Sequence, residues 1–279
     1  MIDTHCHLDD EQFEADRAAV VARASGAGIE YMISLGTTAA SSRATVRLAE
    51  TYPSLFAAVG IHPNSCAEAA ADDWDSIVAL LDHPRVVALG ETGLDRHWDY
   101  SPIELQRDYF DRHLRVSQQR DRAIVIHCRD AWADMMPMLR DAVSRGPLRG
   151  VLHAFSGDAA LAGECLDLGL YVSFAGNVTY TNKKLQSLRE AAATIPADRI
   201  LVETDSPYLT PEPLRGKQKR NEPALVAHTA AALATLRGVP LDEFVRQTAA
   251  NAWHLFRGEP NLPAGSPVLT QRYPRQSRH

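Results

Sequence analysis

A chain of 279 residues, 45% of them hydrophobic, can bury one large core, and no apolar run nears the roughly 20 residues that span a bilayer. A formal charge of −6 argues against wholesale attraction of nucleic acid to the surface, although bound divalent cations could reverse that field locally. Cys6, Cys66, Cys128 and Cys165 lie far apart with no Cys-X-X-Cys pair, so neither a disulfide framework nor a thiolate zinc site is expected.

In chain order, β-rich runs fall at 2–7, 29–35, 55–61, 86–91, 123–127, 150–153, 170–174 and 200–205. Helical periodicity fills the gaps at 12–27, 40–52, 74–82, 103–121, 131–143, 159–168, 183–194 and 223–236, with a closing helix at 241–256. Ser101 and Glu104, with Pro102 between them, read as a capping box for the fourth helix. The runs 123–126 and 200–202 are apolar throughout, as strands covered on both faces are. Eight alternating β and α units predict a (β/α)8 TIM barrel, one domain over 1–257, more than an open doubly wound sheet. Residues 258–279, rich in Pro, Gly and Ser, read as a frayed tail. Because residues 2–7 read as a strand rather than a leader, a soluble, cytoplasmic protein is expected, with a monomer as the favoured state.

A barrel brings every strand's C-terminal end to one rim, and that rule selects residues. His5 and His7 share one face of the first strand, because side chains alternate. His62 follows the third strand, Glu91 ends the fourth, His127 the fifth, His153 the sixth and Asp205 the eighth. Four imidazoles and two carboxylates at one rim would be costly to bury unless a metal held them. Six ligands exceed a tetrahedral site with an open position, so two ions sharing the Glu91 carboxylate are expected. Lys183, Lys184, Lys217 and Lys219 are the only lysines and none lies in a predicted strand, which rules out a carboxylated-lysine bridge or a Schiff base.

The stretches Ile2-Asp-Thr-His-Cys-His-Leu-Asp9, Val59-Gly-Ile-His-Pro63, Gly90-Glu-Thr-Gly-Leu-Asp95, Ile126-His-Cys-Arg-Asp-Ala131, His153-Ala-Phe-Ser-Gly157, Glu203-Thr-Asp-Ser-Pro-Tyr-Leu209 and Asn221-Glu-Pro223 carry a resemblance. Together they resemble the TatD family of metal-dependent deoxyribonucleases in the amidohydrolase superfamily. The resemblance implies a (β/α)8 barrel that hydrolyses DNA from the 3′ end of single strands with magnesium or a similar ion. It implies His5, His7, Glu91 and Asp205 on one ion and Glu91, His127 and His153 on the other. Ala154 stands where the family usually has cysteine, and 215–220 is longer and more basic than usual, which leaves the placement of Arg215 open.

Four nitrogen ligands favour zinc or manganese on softness, whereas the resemblance implies Mg2+ in turnover. Asp205 is the expected base toward water, and His62 is expected to contact phosphate, protonate the leaving oxygen or brace a ligand. Arg129 is expected to clamp phosphate, and Arg215, Lys217, Lys219 and Arg220 to meet the DNA backbone. Trp98 and Trp132 fall in loops of the same face, where they either pack or stack on bases. Cys6 and Cys128 are expected to point outward, between strands and helices. Two alternatives are a barrel hydrolase of esters or amides, such as misacylated tRNA, and a non-catalytic nucleic-acid binder with structural metals.

Overall fold

A computed structural model describes residues 1–258. Eight parallel strands pair in chain order: β1 (Ile2–Cys6), β2 (Tyr31–Leu35), β3 (Leu55–Val59), β4 (Val86–Asp95), β5 (Ala123–Arg129), β6 (Gly150–Leu152), β7 (Tyr171–Phe174) and β8 (Ile200–Val202). Seven crossover helices connect them, namely α1 (Arg17–Gly26), α2 (Ala39–Thr51), α3 (Asp73–Leu80), α4 (Ile103–Arg120), α5 (Trp132–Arg145), α6 (Ala159–Asp167) and α7 (Gln186–Thr194). Helices α8 (Val226–Arg237) and α9 (Leu241–Arg257) complete the outer ring. Buried strand side chains such as Ile124, Val125, Ile126, Leu201 and Val202 face either the barrel interior or this helical layer. Each contributes about 1.5–3 kcal/mol by leaving water. No single helix among the described residues is long and apolar enough to cross a membrane.

The ring closes between β1 and the residues just past β8. The Asp205 N–H donates to the His5 carbonyl at 2.9 Å, and the His7 N–H donates to the Ser206 carbonyl at 2.8 Å. Thr4 Oγ1 adds a bond to the Val202 carbonyl at 2.9 Å. The closure seam therefore runs through three residues of the predicted metal centre.

Strand bounds shift near the rim for local reasons. β4 continues to Asp95 because its end keeps pairing with β5, Gly93 with His127 and Asp95 with Arg129. Gly93 permits this approach: at its φ of 144° a Cβ would stand 2.0 Å from the His127 carbonyl oxygen. β6 and β8 end earlier than expected, and Ala154 and Asp205, shortly after them, turn to φ 40° and 54°. The capping box does not form. Pro102 sits at the N-cap of α4 and makes no side-chain cap, while Ser101 Oγ accepts from the Ala67 N–H at 3.0 Å, tying down the preceding loop instead. The expected frayed tail lies, apart from residue 258, outside the described residues.

Candidate metal centre

β1 and the residue that follows it deliver His5 and His7 side by side, with their Nε2 atoms 3.1 Å apart. Both lie 3.4 Å from Glu91 Oε2 and 3.6 Å from Asp205 Oδ1. The other Glu91 oxygen, Oε1, faces a second set: His127 Nδ1 at 2.9 Å and His153 Nε2 at 2.8 Å, with 3.1 Å between those two nitrogens. Ligands about 2.1 Å from a divalent ion stand roughly 3.0–3.4 Å from one another in octahedral or tetrahedral geometry, so the spacing in both sets suits an ion. Among the described residues, Glu91 is the one carboxylate seen to turn one oxygen to each set.

The tautomers agree with this fit. Leu35 offers its carbonyl to His7 Nδ1 at 3.1 Å, and Asp95 offers Oδ2 to His127 Nε2 at 3.1 Å. Acceptors on those nitrogens hold the ring protons there, leaving His7 Nε2 and His127 Nδ1 as lone pairs aimed at carboxylate oxygens. Lone pairs against carboxylates repel, so each such gap takes up a cation, either a proton or a metal ion. His5 Nδ1 is buried with no hydrogen-bond partner. These donors fit divalent metal ions.

Electrostatics point the same way. Burial would lower the pKa of His7, yet Asp205 and Glu91 hold it well above the usual imidazole range. Burial opposes protonation of His153 as well, but Glu91 and Glu203 bring it up to about 10. His127 is raised against burial by Asp95 and Glu91. Glu91 itself is held well below the carboxylate range by His153 and His62 despite its burial. The cluster calls for positive charge at its centre.

His62 differs from the other four. Its Nε2 lies 3.4 Å from Glu91 Oε1, so distance alone admits it to the second set beside His127. Its Nδ1, however, accepts the Asn64 backbone N–H at 3.1 Å. A neutral imidazole with one nitrogen accepting carries its proton on the other, so His62 presents an N–H to the cavity where the ligands present lone pairs. Burial lowers its pKa, which keeps it neutral.

Three acids anchor the ligands, and none was singled out from the sequence. Asp95 receives the His97 and Trp98 backbone N–H groups on Oδ1 at 2.8 and 3.1 Å, and Asn64 Nδ2 on Oδ2 at 3.2 Å. His127 pulls its pKa down to about 2 against burial. Glu203 accepts from Ser173 Oγ at 2.6 Å and from the Ala154 N–H, which leaves Oε1 3.5 Å from His153 Nδ1, an electrostatic partner too poorly aimed to be a hydrogen bond. Asp3 accepts Thr204 N–H at 2.9 Å and Thr204 Oγ1 at 2.7 Å, fixing the residue before Asp205; burial pushes this carboxyl up to about 8. Asn221 Nδ2 ties the same turn through the carbonyls of Thr204 and Tyr208. Period-two logic applied to the expected strands points to all three acids, since each lies two or four positions from a candidate ligand: Asp3 from His5, Asp95 from Glu91, Glu203 from Asp205.

The cluster floors an open cavity of about 800 Å3 at the strand ends. Arg129 lines it, with its guanidinium 5.8 Å above the exposed Trp98 ring, and pairs with neither Asp130 nor Asp134. The basic loop does not join it. Arg215 stacks on Tyr180 at 3.9 Å, Lys217 and Lys219 are exposed outside the lining, and Arg220 binds Asp16 through both terminal nitrogens and covers Phe13. Arg220 braces the barrel exterior because Asp16, at the N-cap of α1, offers it a carboxylate at close range. Trp132 opens α5 and packs on Phe155. Cys6 is buried with Sγ at the Ile33 carbonyl, whereas Cys128 reaches the cavity wall, because the end of β5 projects past the closed ring.

The family model described as TatD related DNase matches residues 2–257. The metal-dependent hydrolase YabD of Bacillus subtilis is 37% identical over 257 residues, covering 92% of this chain and 99% of that protein. The 3′-5′ ssDNA/RNA exonuclease TatD of Citrobacter rodentium is 37% identical over 258 residues, 92% of this chain and 97% of its own. The crystal structure of YJJV, a TatD homologue of Escherichia coli, superposes with a TM-score of 0.85 at 31% identity over 92% of this chain and 98% of that one.

Proposed function

Because this chain belongs to the TatD family and is a metal-dependent hydrolase, we propose that it cleaves nucleic-acid phosphodiesters with two divalent ions, removing nucleotides from the 3′ end of single-stranded DNA. The observation that carries the reading is the division of Glu91, one oxygen to His5 and His7 and the other to His127 and His153. When bound, such ions polarise a nonbridging phosphoryl oxygen and acidify a water. The residues do the rest. His5, His7, Glu91 and Asp205 hold one ion and Glu91, His127 and His153 the other. Four nitrogen donors favour Zn2+ or Mn2+ as the bound species, and Mg2+ is proposed for turnover.

Asp205 turns Oδ1 to His5 and His7, which leaves Oδ2 to accept the proton of the attacking water. His62 donates its Nε2 proton to a phosphate oxygen, stabilising charge as the phosphorus becomes five-coordinate. Arg129 clamps a neighbouring phosphate with its fork. Arg215, Lys217 and Lys219 act at longer range, through charge on the loop after β8.

The test is hydrolysis of 3′-labelled single-stranded DNA beside an aminoacyl-tRNA by metal-loaded protein. Stepwise release of label, abolished by chelation and by Glu91→Gln, with two ions per chain by elemental analysis, is the expected result. Cleavage of the aminoacyl ester alone would overturn the nuclease reading, one ion per chain would overturn the shared bridge, and full activity in Asp205→Asn would remove the base.

A further inference from the structure

Among the described residues four large hydrophobic side chains are exposed, and three of them, Trp98 (45%), Tyr100 (62%) and Tyr208 (53%), line this one cavity. Trp98 and Tyr100, on the loop after β4, are stacked with ring centroids 5.6 Å apart and planes within 21°. Tyr208 rises from the loop after β8, its ring 6.3 Å from that of His7 and its hydroxyl 3.5 Å from Asp10 Oδ2. Strands four and eight stand across the barrel from each other when eight strands pair in order, so aromatic faces flank the metal centre from opposite sides.

Charge alone holds a polyanion here poorly. The lining carries Asp9, Asp10, Glu91, Asp95 and Asp205 against the single cation Arg129. Two divalent ions together with Arg129 only balance those five carboxylates, so a nucleic acid would gain little from the field beyond the phosphate being cut. A base laid on an aromatic face gains affinity without regard to sequence, because every base has a π-face. A paired base inside a duplex has both faces covered by its neighbours and cannot use such a surface.

Resting on the nuclease reading, we infer that Trp98 and Tyr100 form a base-stacking platform, faced by Tyr208, that captures unpaired nucleotides and gives this site its selectivity for single strands. The platform is rigidly placed. The Trp98 and His97 backbone N–H groups both bond to Asp95 Oδ1, the carboxylate whose other oxygen orients His127, so a base seated there is registered against the metal centre. The Arg129 guanidinium over the Trp98 ring places a phosphate contact beside the stacked base.

The experiment compares an oligonucleotide with the same strand carrying abasic residues at its 3′ end. KM and kcat are measured for the wild type, Trp98→Phe and the Trp98→Ala/Tyr100→Ala double variant, and binding of phosphorothioate-linked strands by the metal-loaded proteins is followed by anisotropy. In the wild type, removing a base should raise KM and Kd by about 5- to 150-fold with kcat little changed. The double variant should bind the intact strand as weakly as the abasic one, and Trp98→Phe should keep most of the difference. Equal penalties for the abasic residue in wild type and double variant would overturn the platform. Loss of hydrolysis by every form, with the base-dependent difference in binding intact, would instead sink the nuclease reading and leave the platform standing.

Discussion

Asp95→Asn isolates how one buried carboxylate chooses the ligand atom of His127. Oδ1 of Asp95 already accepts two backbone N–H groups, from His97 and Trp98, so the amide oxygen of asparagine must take that position. Its NH2 then occupies the place of Oδ2, facing His127 Nε2 at 3.1 Å and Asn64 Nδ2 at 3.2 Å. Two N–H donors cannot face each other, so His127 moves its proton from Nε2 to Nδ1, the atom directed at Glu91. In the proposed two-ion site the second ion would then lose a lone pair although every proposed ligand residue is still present. Loss of a carboxylate behind a metal-bound imidazole typically costs 10- to 100-fold in affinity, about 1.4–2.7 kcal/mol. Titration of metal-free protein with Mn2+ by calorimetry should show one site weakened by that factor and the other unchanged, and 15N shifts of His127 should show the proton moved. Unchanged affinity at both sites, or His127 still protonated on Nε2, would refute the reasoning.

Three further outcomes concern groups outside the proposed ligand set. His113 is fully buried in α4, with Nε2 accepting the Ile61 N–H at 3.2 Å, and burial lowers its pKa to about 4. The unfolded chain takes up this proton near pH 6.5, so the contribution is complete above that pH and is lost as pH falls toward 4, by about 3 kcal/mol. Urea midpoints of wild type and His113→Gln should therefore converge between pH 7 and 4.5, and a constant gap would argue against a buried neutral imidazole. Arg129→Ala should flatten the slope of log KM against log salt by about 0.7, the value of one single-strand phosphate contact. Arg220→Ala should leave that slope unchanged while lowering the melting temperature through Asp16; a flattened slope in Arg220→Ala would place it on the substrate instead.

The barrel was legible because hydrophobic runs and helical periods alternate eight times, and the gathering of histidines and acids at one rim because a barrel exposes one end of every strand. What escaped was what depends on neighbours in space. Nothing local in Arg215-Gly-Lys-Gln-Lys-Arg220 says that Arg220 will find Asp16, which is 204 positions away. Ser101 and Glu104 have the spacing of a cap, but Ser101 meets the Ala67 N–H before it can reach its own helix. The extension of β4 to Asp95 was hidden because Gly93 looks like a terminator, whereas its missing side chain is what lets the strand continue beside His127. Had that strand been drawn through, Asp95 would have appeared on the face of Glu91.

Closure and catalysis share the same few bonds. Backbone hydrogen bonds from Asp205 N–H to the His5 carbonyl and from His7 N–H to the Ser206 carbonyl join the two ends of the sheet, and the side chains of His5, His7 and Asp205 meet across that seam. The proposed ligand set, drawn from both ends of the chain, comes together only when the ring is shut, so ions bound there would favour the closed barrel over any opened form by their full binding free energy. The converse also holds. Asp3 and Asn221, which touch no ligand side chain in the first set, fix Thr204 and with it the turn that presents Asp205, so the precision of the metal centre depends on buried polar groups in the seam itself. Strand ends in this fold are free to carry chemistry because the core lies below them; here the last pair of ends is also what holds the barrel together.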